Sequence, residues 1–232
     1  MFVTGFPAAA FDTNCYVLAA APGEECVVVD PGIEVMGQLS EVLARYRLRP
    51  AAVLLTHGHV DHVWSVTPVC GAHGVGAYIH PDDAYRLADP LASLDPALVA
   101  MLEQQFGPKA AWSEPDDVSS LVDGQELALA GLRLQVAHAP GHTEGSVIFT
   151  VPGPPDGTEG SATALTGDVL FAGSVGRTDL PGGDPEAMLR TLREKVLTLA
   201  DDVVVLPGHG PSTTVARERA TNPYLAQAAR GV

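Results

Sequence analysis

Hydrophobic positions in this chain recur with two periods, and the switches between them divide it into strands and helices. The runs C-Y-V-L-A-A (15–20) and C-V-V-V-D (26–30), separated by A-P-G-E-E, predict an antiparallel hairpin that ends at Asp30-Pro31-Gly32. Leu39, Val42, Leu43 and Tyr46 stand at helical spacing and predict an amphipathic helix over 36–48. The wholly apolar run 51–55 predicts a strand covered on both faces. A short strand over 75–79 leads into a helical segment, 82–117, broken by Pro90, Pro96, Pro108 and Pro115. Its stripe of Leu98, Met101, Leu102 and Phe106 suits a helix packed on the domain body, or else a lid or self-association surface. Strands follow over 126–129, 132–138 and 146–151, with P-G-P-P-D-G-T-E-G-S (152–161) as a loose hairpin tip. A strand over 164–166, a helix over 185–196 and a strand over 203–206 complete the pattern. Two blocks of strands, each accompanied by helices, predict two sheets packed face to face with helices outside, in a single domain spanning 1–232.

Composition narrows the function classes. Hydrophobic residues make up 46% of the chain and charged residues 18%, as in an ordinary globular protein. No apolar run approaches the roughly 20 residues that cross a bilayer, so no membrane partner is expected. The start, M-F-V-T-G-F-P, lacks the basic-then-apolar pattern of a secretory leader, and a cytoplasmic location is expected. Cys15, Cys26 and Cys70 show no CxxC spacing and read as reduced thiols. The net charge of −15, with 13 basic residues scattered among 28 acidic ones, argues against nucleic acid. Bound cations would offset part of that acidity.

Candidate chemistry concentrates in T-H-G-H-V-D-H (56–62), a short loop directly after the apolar strand. His57 and His59, two apart, suit convergence on one ion, whereas Asp61 and His62 must point elsewhere and suit a second. Three more strand ends repeat one grammar of apolar strand, small residues and a single metal-competent side chain. They are His142 in A-P-G-H-T, Asp168 in L-T-G-D and His209 in L-P-G-H-G. Asp30, Thr56 and Thr143 are expected to orient the ligands by hydrogen bonds, the two threonines alternatively capping loops. His138 reads as supporting or structural, His73 and His80 as surface residues. Arg177 and Asp179 in G-R-T-D form either a buried pair that fixes their loop or a substrate contact. Gly58 and Val60 read as permissive spacers.

Together THxHxDH, PGHT, TGD and PGHG resemble the metallo-β-lactamase fold, an αββα sandwich. Within it the chain resembles the glyoxalase II (hydroxyacylglutathione hydrolase) branch in its short form, also through N-C-Y-V-L, V-V-V-D-P-G and L-F-A-G-S-V-G-R-T-D-L-P-G-G-D. The resemblance implies that His57, His59 and His142 hold one divalent ion and Asp61, His62 and His209 a second, with Asp168 bridging both. Zinc is the first expectation for the ions, iron and manganese the others. It implies hydrolysis of a small acyl-thiol by a hydroxide formed between the ions, with Asp61 and Asp168 as catalytic residues and Arg177 as a substrate contact. The helical C-terminal domain that supplies glutathione contacts in the long form is expected to be missing, since only 210–232 follow His209. Glutathione is therefore not implied as the thiol, and homo-oligomer formation is left open.

A competing resemblance is to the persulfide dioxygenases, which share HxHxDH and GRTD and would hold one iron through His57, His142 and Asp168. P-G-H-G-P-S-T-T around His209 fits the hydrolase pattern better. Ribonucleases of this fold are disfavoured by charge, electron-transfer diiron relatives by His59 where they carry Glu, and β-lactamases by Asp61.

Overall fold

The computed structural model describes residues 1–92, 94–107, 112–155 and 158–230. Pro108 and the Asp156-Gly157 pair of the expected hairpin tip lie outside them. Strands β1 (Phe2–Pro7), β2 (Asn14–Ala19), β3 (Glu25–Val29), β4 (Arg49–Leu54), β5 (Ala77–Ile79) and β6 (Val118–Ser120) form one sheet in that order. Its first three strands are antiparallel, β2 and β3 as the expected hairpin, and β3 to β6 run parallel. The second sheet has the order β12 (Thr213–Thr214), β11 (Val204–Pro207), β10 (Ala162–Gly167), β9 (Val147–Pro152), β8 (Leu132–His138) and β7 (Glu126–Leu129). Only β10 and β11 are parallel within it.

Strand alternation distributes the core into three layers. Val27 and Val29 of β3 face the second sheet, where they meet Phe149 of β9 and Leu134 of β8. Cys26 and Val28 point the other way, toward Leu39 and Leu43 of α1 (Met36–Tyr46) and Val66 and Val69 of α3 (Val66–His73). Ile148 faces outward from β9 onto Met188 and Leu192 of the outer helix of the second sheet. That helix, α6 (Pro185–Thr191), passes into a π-helical turn over Leu192–Val196. The result is a mixed α/β, four-layer αββα sandwich, the architecture that the resemblance implies. All three cysteines are buried and free.

Several elements differ from the sequence pattern. α1 stops at Tyr46 because Arg47 turns left-handed, with φ 55°. β1, β6 and β12, which the pattern did not predict, are edge strands, and two of them are only two or three residues long. The C-terminal segment forms two helices, α7 (Val215–Thr221) and α8 (Pro223–Arg230), because Pro223 forces Asn222 into an extended conformation. The expected helical segment 82–117 is broken into α4 (Pro81–Ala84), a 3₁₀ turn (Tyr85–Leu87) and α5 (Pro96–Phe106), and residues 112–117 are not helical. Leu102 of α5 is fully buried against Ile33 and Val60, but Met101 stays 47% exposed, so only part of the stripe packs inward. Among the described residues no helix is long and apolar enough to cross a membrane.

Candidate metal centre

The loops following β3, β4, β8, β10 and β11 meet at one edge of the sandwich. They bring His57, His59, Asp61, His62, His142, Asp168 and His209 together. Three overlapping groups have ligand atoms within 4.8 Å of one another: His57 with His59 and His142, His57 with His62 and Asp168, and Asp61 with His62 and His209. The motif is not one loop as expected. Residues 60–63 form a helical turn, α2 (Val60–Val63), capped by His59, whose carbonyl accepts from the His62 N–H at 2.9 Å. That turn separates Asp61 and His62 from the first pair.

Four of the five imidazoles have the outer nitrogen tied down. His57 Nδ1 meets Thr56 Oγ1 at 3.1 Å, and that hydroxyl already donates to Asp30 at 2.7 Å, so the ring is the donor. His62 Nδ1 donates to Asp30 at 2.9 Å, His142 Nδ1 to the Arg177 carbonyl at 2.7 Å, and His209 Nδ1 to the Phe11 carbonyl at 3.0 Å. These bonds fix the tautomers and turn each Nε2 lone pair inward. His57 Nε2, His62 Nε2 and Asp168 Oδ1 are buried with no hydrogen-bond partner. His59 Nδ1 and His142 Nε2 lie 2.8 Å apart. Buried, convergent, unsatisfied acceptors are costly without a cation among them, so the donor set fits a binuclear metal site. Asp168 stands between the groups, 3.4 Å from His62 Nε2 and 3.5 Å from both His142 Nε2 and His209 Nε2. A Cβ on Gly208 would collide with Asp168 Oδ1, so glycine is required there for the carboxylate to reach this position.

Electrostatics divide the two halves. Burial pushes His57 well below the usual imidazole range, with His62 and His142 adding to it, and burial with His142 takes His59 down to about 3. Burial also lowers His142. For His62, burial opposes the charge, but Asp61, Asp168 and Asp30 together hold it well above the usual range. Burial would raise Asp61, yet His62 and the hydrogen bonds of His209 and Thr13 keep it below the carboxylate range. Without metal, His62 and His209, raised despite burial by the neighbouring carboxylates, therefore hold a proton more tightly than His57, His59 and His142. Loading the Asp61–His62–His209 group is expected to release more protons than loading the His57 group, its affinity falling more steeply as pH drops. Calorimetric titration in buffers of different ionisation heat measures this; equal proton release from both groups would contradict it.

Of the supporting residues, Asp30 holds the Thr56 N–H at 2.8 Å as well as the Thr56 hydroxyl and His62. The sequence pattern missed Thr13, whose hydroxyl donates to Asp61 Oδ2 at 2.7 Å, and Asp83. Fully buried Asp83 accepts from Gly58 N–H at 2.7 Å, Thr143 Oγ1 at 2.7 Å and Gly145 N–H at 3.0 Å, and faces Arg86. It ties the His57–His59 loop to the His142 loop, although in sequence it looks like a first-turn helix acid. Asp83→Asn is expected to weaken metal binding at the His57–His59–His142 group by ~10-fold or more and leave the other group nearly unchanged, read by titration with a chelator of known affinity.

Three expectations need correction. His80 is not a surface residue: it is 8% exposed and stacks on His138 at 3.9 Å, because α4 folds the end of β5 against the end of β8. Arg177 and Asp179 are not buried; they form an exposed pair at 2.7 Å, and it is the Arg177 carbonyl that reaches His142. Gly58 is not a free spacer, since a Cβ there would lie 2.7 Å from Arg86 Cδ, and Val60 is buried. His73 is exposed, as expected, and His138 donates through Nε2 to the Glu144 carbonyl at 2.8 Å.

A cleft of about 590 Å³ opens over the histidines, bounded by α5 on one side and by Phe11, Phe171 and Leu180 on the other. Comparison with known proteins agrees with this geometry. The chain is 45% identical over 226 residues to an uncharacterized protein of Mycobacterium tuberculosis, covering 97% of this chain and 98% of that one. It is 33% identical over 220 residues to the hydroxyacylglutathione hydrolase GloC of Haemophilus influenzae, covering 94% and 95%. The crystal structure of TTHA1623 in a di-iron-bound form superposes with a TM-score of 0.75 at 35% identity, covering 96% of this chain and 100% of that one. The family model for the metallo-beta-lactamase superfamily matches residues 8–209. With that match running through the last of the converging histidines, His209, the chain belongs to the metallo-beta-lactamase superfamily.

Proposed function

We propose that this protein is a thioester hydrolase of the glyoxalase II type, acting on a small acyl-thiol in the cytoplasm. The observation that carries the reading is the second group, Asp61–His62–His209, lying beside the first with Asp168 between them. A dioxygenase using one iron through His57, His142 and Asp168 shares Asp61 and His62 within HxHxDH, so His209, which closes the second group, is the discriminating donor. The 33% identity to GloC over nearly the whole chain supports the same choice.

Two divalent ions held by these residues would supply a low-pKa water and a Lewis acid for the acyl carbonyl. The chain's own residues do the rest. Asp61, fixed by Thr13, orients the attacking water. Asp168, buried on one oxygen, keeps the two halves of the site in register. Asp30 and the Phe11 and Arg177 carbonyls hold the rings so that the arrangement is set before substrate arrives. Arg177 lines the mouth of the cleft and contacts the substrate. No serine or cysteine nucleophile is needed.

The test is turnover of S-lactoylglutathione and of acyl esters of other thiols by protein of measured metal content, loaded in turn with zinc, iron and manganese. Thioester hydrolysis with two ions per chain is the expected result. One iron per chain, with oxygen uptake on a glutathione persulfide and no thioester hydrolysis, would overturn it.

A further inference from the structure

We propose that the substrates of this site carry an apolar acyl chain on a thiol without carboxylates. The inference rests on the thioesterase reading and concerns what the cleft selects.

The first observation is Phe11. It has φ 60°, and the next residue, Asp12, has φ 53°, a left-handed conformation that non-glycine residues rarely adopt. The turn serves the site, because the Phe11 carbonyl accepts from His209 Nδ1 and Thr13 bridges to His209. That task needs only a backbone carbonyl, which glycine or asparagine would present with less strain. Instead a phenyl ring stands there, 44% exposed, at the mouth of the cleft. An exposed aromatic ring on a strained turn beside a reactive centre has a use if a ligand covers it.

The second observation is the wall it faces. Leu94 and Leu98 approach from the α5 side, and Phe171, edge-on to His209 at 5.9 Å, and Leu180 complete an apolar lining. The third is charge. Arg177 is the one cationic side chain lining the cleft among the described residues, and Asp179 engages it at two positions, 2.7 and 2.8 Å. A thiol bearing two carboxylates would have Arg177 alone, already paired with Asp179, to receive them among the described residues lining the cleft, and the chain's net charge of −15 adds repulsion. An uncharged thiol meets no such penalty, while each methylene of an acyl chain gains from contact with Phe11 and Leu98.

The experiment compares kcat/KM for acetyl, butyryl and hexanoyl thioesters of N-acetylcysteamine with the same acyl groups on glutathione, using the metal-loaded enzyme. From acetyl to hexanoyl on the uncharged thiol, kcat/KM is expected to rise by ~10-fold or more. Hexanoyl-N-acetylcysteamine should exceed hexanoylglutathione. Leu98→Ser should lower the hexanoyl-to-acetyl ratio at unchanged metal content, and Phe11→Ala should lower the same ratio when rates are taken per metal-loaded site. A flat or falling series, or preference for the glutathione esters, would overturn the proposal while leaving the thioesterase reading intact. Failure to turn over any thioester would overturn that reading, and this one with it.

Discussion

Asp168→Ala is expected to lower thioester turnover by ~1,000-fold or more and to reduce metal content from two ions per chain to at most one. The carboxylate is 9% exposed, has one oxygen without any partner, and lies 3.4–3.5 Å from nitrogens belonging to both halves of the site. No neighbouring side chain can replace it, since the approach is made possible by glycine at position 208. Removing it leaves Asp61 as the one carboxylate among the ligands to balance two cations. Asp168→Asn keeps the shape and loses the charge, so a similar loss in both variants would assign the effect to charge. Elemental analysis and thioester kinetics on folded protein are the measurements. Retention of both ions and of turnover in Asp168→Ala would refute the assignment of the site.

Removing the metal ions is expected to destabilise the fold as well as abolish activity. Ligands bound by the folded chain alone stabilise it by roughly 4 kcal/mol per site at a thousandfold excess over Kd. For a domain of this size that corresponds to a fall in thermal midpoint of ~10 °C or more when both sites are emptied. The physical origin is visible in the unsatisfied His57 Nε2, His62 Nε2 and Asp168 Oδ1 and in the His59–His142 nitrogens 2.8 Å apart. Scanning calorimetry before and after chelation, followed by addition of zinc, iron or manganese, tests this and ranks the metals by the stability each restores. An unchanged midpoint after verified metal loss would mean that the cluster is stable by itself.

Much of the sandwich was legible because its central strands follow simple periodicity. The runs that became β2, β3, β4, β8 and β9 are apolar on one or both faces, and burial of those faces determines their layer. Elements whose sequences carry little apolar area were not legible. β6 (V-S-S) and β12 (T-T) owe their strand conformation to hydrogen bonds from neighbours that sequence does not name. The 82–117 segment failed for a related reason: Pro81 just before it and Pro96 within it start helices instead of only breaking one.

The candidate ligands were legible because a histidine or aspartate after an apolar strand and a small residue is a repeated local signal, and local signals survive in one dimension. The residues that aim those ligands carry no such mark. Asp83 and Thr13 lie far in sequence from the loops they hold, and Phe11 and Arg177 act on histidines through carbonyl groups that every residue possesses. By itself, then, the sequence determined the layered fold and the chemical type of each ligand, through hydrophobic period and side-chain identity. Only the tertiary structure decided which nitrogen each imidazole presents, which carboxylate stands between the two groups, and that the cleft above them is apolar. Those depend on hydrogen bonds and contacts closed across the chain, and distance along the sequence does not encode them.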